Sequence, residues 1–168
     1  SIDMRLVDNA YRSNVPSKLD LLVDRVHKIF EETKNQDFYS VVPSRSNSGE
    51  PIMMYSEKPT SKGPATQMIF ANLGLSGGRG FSVPDYIRAE LVRRGVPRDQ
   101  IANIADYKSH VQKQKLFNDM NEGKVRVLIG STAKMATGVN AQKRLFAIHN
   151  LDPLWYPSDD EQRIGRGL

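Results

Sequence analysis

Residues 124–142, KVRVLIGSTAKMATGVNAQ, decide how this chain is read. The run VRVLI at 125–129 is too short for a helix and is bounded by Gly123 and Gly130, so it reads as a strand buried on both faces, as in a parallel sheet. Its carboxyl end delivers Gly130, Ser131 and Thr132. Ligands sit at that end of open α/β sheets, and small hydroxyl and glycine residues there suit contact with phosphate. A second apolar run, LFAI at 145–148, predicts another strand that ends in His149 and Asn150.

Working backward from Gly123, the pattern keeps alternating. Residues 109–121 predict a helix with Leu116, Phe117 and Met120 inward and Gly123 as its stop. Residues 101–105 predict a brief strand. Pro84 near a first turn and Gly95 after a last one suit a helix through DYIRAELVRR, with Ile87 and Leu91 inward. Its Arg88, Arg93 and Arg94 read as a solvated basic face. Residues 68–71 predict a strand whose end is marked by Asn72. Strand, helix, strand, helix, strand is the alternation of a parallel sheet with crossover helices. Ahead of it, residues 17–34 carry Leu19, Leu22, Val23, Val26, Ile29 and Phe30 at three- and four-residue steps, an apolar stripe that buries against a sheet, with Ser17 as cap. Residues 1–16 read as a lead-in segment.

Two stretches break the alternation. Residues 35–66 scatter Pro43, Pro51, Pro59 and Pro64 among small polar residues and read as an insertion, with 38–42 and 52–55 pairing as a hairpin across SRSNSGE. Such an insertion is a nucleic-acid or partner contact in one reading and a family-specific surface decoration in the other. Residues 73–82, LGLSGGRGFS, place four glycines around Arg79. That loop either approaches a phosphate through its amides and guanidinium or serves as a connector.

After Pro157 a helix is predicted to start at Ser158, which has capping-box spacing to Glu161, with Asp159 and Asp160 in the first turn. Gln162 and Arg166 then lie four residues apart on one face, and Arg163 points about 100° away from Gln162. Two guanidiniums and an amide are thus expected near the ligand edge of the sheet.

Composition fits one domain: 168 residues, 39% hydrophobic, with a net charge of +5 that weakly favours a polyanionic partner. Cysteine is absent, which excludes disulfides and thiolate metal sites, and no metal site is expected. No apolar stretch approaches the ~20 residues that span a bilayer, so a cytoplasmic protein without membrane contact is the default expectation.

The motifs resemble those of superfamily 2 helicases and translocases. QRIGRG at 162–167 is similar to their motif VI, STAKMATGVN at 131–140 to motif V, and QMIFANLG at 67–74 to motif IV; LDPLWYPSDDEQ at 151–162 is closer to the Swi/Snf branch. The combined wording is similar to the helicase regions of phage- and plasmid-borne helicase and methylase fusion proteins. Resemblance covers roughly residues 66–168 and implies a RecA-like three-layer α/β sandwich, the second motor lobe of an ATP-dependent machine. It implies a domain over 17–168, with the insertion at 35–66 and an end inside motif VI, as in a piece of a longer protein. By the same resemblance Arg166 is the arginine finger and Arg163 its neighbour, while Gln162, Gly138 and Asn140 hold the nucleotide. Asn140 stands where many relatives have Asp. Asn72, Arg79, Thr132 and Lys134 are implied to contact nucleic acid.

ATP with Mg²⁺ is the implied cofactor, bound mainly by a first RecA-like lobe, since this chain has neither a Walker A pattern nor an acidic Walker B strand. The implied partners are that lobe and DNA, with RNA left open, and the chain itself is expected to be a monomer that hydrolyses nothing alone. A non-catalytic nucleic-acid-binding module or a protein-interaction module on the same fold is the alternative.

Overall fold

The computed structural model describes residues 18–71, 82–135 and 140–151. Its first element is α1 (Lys18–Glu32), in which Leu19, Val23, Val26 and Phe30 are buried as the apolar stripe requires. Ser17, the expected cap, lies outside the described residues. The helix stops two residues short of the expected end because Thr33 turns back on it, with both its amide and its hydroxyl bonded to the Ile29 carbonyl.

Beyond α1 come β1 (Gln36–Phe38), β2 (Val41–Arg45), β3 (Pro51–Tyr55), β4 (Ser61–Gly63) and β5 (Thr66–Ala71). The second half holds α2 (Val83–Arg93), β6 (Ile101–Asn103), α3 (His110–Asn121), β7 (Val127–Gly130), α4 (Thr132–Met135) and β8 (Leu145–Leu151). Among the described residues the central sheet has four strands in the order β6-β7-β5-β8, and every neighbouring pair is parallel.

This order explains which helix lies on which face. The chain leaves β5, passes over the place of β7 to reach the edge strand β6, then returns to β7 and continues across β5 to β8. Right-handed crossovers running outward and back must lie on opposite faces of the sheet. Accordingly α2 shares one core with α1, through Ile87 and Leu91 against Val23, Val26 and Ile69. α3 and Met135 of α4 share the other, through Leu116, Phe117 and Met120 against Met68, Phe70 and Leu128. The result is a three-layer α/β/α sandwich, and alternate residues of β5 feed alternate cores because a strand has a period of two. Among the described residues no helix is long and apolar enough to cross a membrane.

Several local expectations are met and several are shifted. Gly123 and Gly95 adopt φ of +78° and +103° just past α3 and α2 as stop glycines should, and α3 carries in addition a reciprocal capping box between Ser109 and Gln112 that was not read from sequence. β6 ends at Asn103 instead of 105, since the Asn103 side chain accepts the Ala105 amide and starts a 3₁₀ turn. β8 includes His149 and Asn150 near its end, as expected, and stops one residue later at Leu151. A register shift between Thr66 and Gln67 leaves Phe146 out of the pairing and exposed, then returns Ile148 to the α3 core.

The 35–66 insertion is a two-stranded antiparallel arm. β1 pairs β4 at its base and β2 pairs β3 beyond, so Phe38 belongs to the base and the hairpin proper starts at Val41. The base is tied down: the Arg144 guanidinium stacks over Phe38 at 5.8 Å, and the Thr66 amide donates to the Arg144 carbonyl.

Candidate functional site

In a doubly wound sheet, ligands occupy the crevice between adjacent strands whose onward connections run to opposite faces. Here that pair is β5 and β7, because β5 leads to α2 on one face and β7 to α4 on the other. Phe70 pairs laterally with Gly130 of β7 and with Asn150 of β8, so these three residues form the carboxyl rim of the sheet. In sequence, 72–81 follow β5, 131–140 follow β7 and 152–168 follow β8, and of these segments the described residues include 131–135 and 140.

After Gly130, Ser131 starts α4. Its carbonyl accepts the Met135 amide and its hydroxyl accepts the Lys134 amide at 3.3 Å. Thr132 and Lys134 are thereby carried on this single turn, Thr132 half-buried and Lys134 exposed, directly beyond β7. A short helix thus follows β7 directly. Gly130 itself has a packing reason: a Cβ there would lie 2.5 Å from Ile104 Cγ2 and 3.0 Å from Met135 Sδ. The absence of a side chain at 130 is explained by the close approach of α4 and the 3₁₀ turn after β6.

Asn140 sits elsewhere. Asn121, the last residue of α3, donates through its side-chain amide to the Asn140 carbonyl and accepts from the Lys143 amide, and its own carbonyl accepts from Arg144 Nε. Asn140 is therefore tied to the helix end that feeds the amino end of β7, whereas Thr132 and Lys134 follow the carboxyl end. It borders a cavity of about 350 Å³ along α3, lined also by His110, Lys113, Gln114 and Phe117. Of the nine site residues expected from sequence, the described residues place Thr132, Lys134 and Asn140. Asn72, Arg79, Gly138, Gln162, Arg163 and Arg166 lie outside them, as does the helix expected from Ser158.

Two buried polar networks were not read from sequence. Gln67 donates through Nε2 to the Val26 carbonyl of α1, which leaves its Oε1 to accept from His149 Nε2 at 2.7 Å. That assigns His149 the Nε2–H tautomer. Burial, with a smaller push from the Arg25 charge, lowers its pKa to about 4, so the imidazole is neutral at pH 7. Arg126, only 4% exposed, ties α1 to the sheet: its Nε donates to the Ala65 carbonyl, one Nη to the Phe30 carbonyl at 3.0 Å, and its plane stacks 4.3 Å from the Phe30 ring. A cation at a helix carboxyl end also opposes the helix dipole. The charged residue inside the apolar run VRVLI was the available signal, because a buried charge must find partners.

The basic face of α2 is neutralised locally. Arg88 meets Asp106 at 3.4 Å, Arg93 meets Glu90 at 2.7 Å, and Arg94 pairs with Asp24 across to α1. Among the described residues no group of three His, Cys, Asp or Glu residues is placed to hold a metal ion.

Residues 87–168 match the family model of the helicase conserved C-terminal domain. No curated protein and no solved structure matches the chain. The match runs from within α2 through the last three strands of the parallel sheet, so this part of the chain is similar to a helicase C-terminal lobe, and the sheet sandwiched between helices is consistent with a RecA-like fold.

Proposed function

We propose that the chain is the second motor lobe of an ATP-dependent nucleic-acid translocase or helicase acting on DNA, of the Swi/Snf-like branch. The observation that carries the proposal is the family match over 87–168 on a sheet whose switch-point crevice is bordered by Thr132 and Lys134. In this reading Arg166, with Arg163 beside it, reaches across to the γ-phosphate gripped by a companion lobe and neutralises the charge that spreads over its oxygens during transfer. Gln162 and Gly138 serve the nucleotide side, and Asn140, held at the end of α3, is left out of it; Thr132, Lys134, Asn72 and Arg79 grip the phosphate backbone of the strand. The companion lobe supplies the phosphate loop and the carboxylates for magnesium.

Such a lobe gates chemistry without performing it, because the phosphate grip and the finger lie on separate bodies. The test is ATP turnover, with and without DNA, by the 168-residue chain and by the same chain joined to a phosphate-loop lobe in one polypeptide. The chain alone should release no phosphate, and the joined protein should hydrolyse ATP faster when DNA is added. Hydrolysis by the chain alone at the joined rate, or a joined protein indifferent to DNA, overturns the proposal.

A further inference from the structure

The outer half of the 35–66 arm leaves apolar side chains in water on a scale that folding does not explain. Cross-strand pairing of Val41 with Tyr55, Pro43 with Met53 and Arg45 with Pro51 puts these six on one face of the ribbon. On it Val41 is 54% exposed, Met53 63% and Tyr55 73%, whereas Val42, Ile52 and Met54 on the other face are 37%, 36% and 51% exposed. A two-stranded ribbon is marginal by itself in water, so a face of this kind is stabilised when something covers it.

We propose that the Val41, Met53 and Tyr55 face packs against the same face of a second copy of this chain. Addition of a strand to the ribbon's edge is disfavoured by the backbone. The Ser46 amide bonds to the Glu50 carbonyl and the Ser56 amide to the Ser40 carbonyl, so even-numbered residues occupy the hydrogen-bonded pairs and odd-numbered amides face outward. Pro43 and Pro51 fall at such outward positions, one on each edge, and offer no donor there. Contact must then be made by the face.

Charge selects the class of occupant. Between residues 36 and 63, Asp37, Glu50 and Glu57 balance Arg45, Lys58 and Lys62, a neutral arm that offers no excess of cations to a polyanion. Met, Tyr and Arg without Lys or Glu on the face is the composition of a protein interface core. The face is self-complementary about a two-fold axis through the Pro43–Met53 pair, which sets Arg45 of each copy over Tyr55 of the other, a cation on an aromatic ring. A face of six residues a side is small beside the roughly 20–30 of a standard interface, so the dimer is weak and concentration-dependent. The proposal departs from the monomer expected from sequence, and it stands apart from the motor reading.

Sedimentation of the 168-residue chain between roughly 1 and 100 µM tests it, with the absence of native cysteine making crosslinking clean. The mass should rise from monomer towards dimer with concentration, and Met53→Glu with Tyr55→Glu should raise the dissociation constant at least ~10-fold at unchanged melting temperature. Under mild oxidation Met53→Cys should form a linked dimer at least ~10-fold faster than Met54→Cys, which lies on the opposite face. A monomer throughout, a dimer indifferent to the double substitution, or equal crosslinking from both faces each overturns the proposal. A monomer whose arm instead becomes protected on added DNA would reassign the face to nucleic acid. None of these results bears on ATP turnover.

Discussion

At residue 130 the backbone passes so close to Ile104 and Met135 that no side chain fits, and the expected result of Gly130→Ala is a loss of about 1–3 kcal/mol from overpacking. Thermal unfolding checks this. A melting temperature equal to that of the parent would mean that Ile104 and Met135 can retreat without penalty. His149 makes a different statement about stability. Its folded pKa of about 4 lies below the usual 6.5, so the unfolded chain takes up a proton over that interval while the folded chain does not. The contribution is complete above pH 6.5 and is lost as pH falls towards 4, by roughly 3 kcal/mol in all. Denaturant unfolding at several pH values should therefore decline more steeply for the parent than for His149→Gln across that window. Parallel curves would mean that the imidazole gains its proton as readily folded as unfolded. Such residues are poorly legible in sequence because their partners are remote: Gln67 meets His149 across 82 positions, and Arg126 meets Phe30 across 96.

At the level of elements, legibility followed the locality of the cause. α2 and α3 were readable because a first-turn proline and stop glycines act within a turn, and β5 and β7 because strands buried on both faces are continuously apolar. The arm was half readable: its hairpin carries an antiparallel pairing near the expected one, but Phe38 belongs to a separate base pair of strands, over which Arg144 stacks from 106 positions further along the chain. Sheet order was not readable at all, since nothing local says that β6 lies at the edge while β5 lies inside. The capping box gives this scale its prediction. Ser109→Ala removes the acceptor for the Gln112 amide and should cost about 1 kcal/mol, whereas Ser109→Asp should retain most of it. Equal loss in both variants, measured by thermal unfolding, would deny the cap its role.

For the whole molecule, the winding of the sheet is what brings the carboxyl ends of β5, β7 and β8 to one rim. Outward and return crossovers split the helices between two faces, and the split opens the crevice between β5 and β7. Thr132 and Lys134 stand beside it, while Asn140 is held at the far end of α3. The motor reading asks one more thing of this architecture, that Arg166 reach a triphosphate held by another lobe. Nucleic-acid-stimulated ATP turnover of the two-lobe protein carrying Arg166→Ala measures it directly. The account predicts a fall in kcat on the order of 10³-fold with DNA affinity retained; a variant that turns over ATP at the parent rate would contradict it.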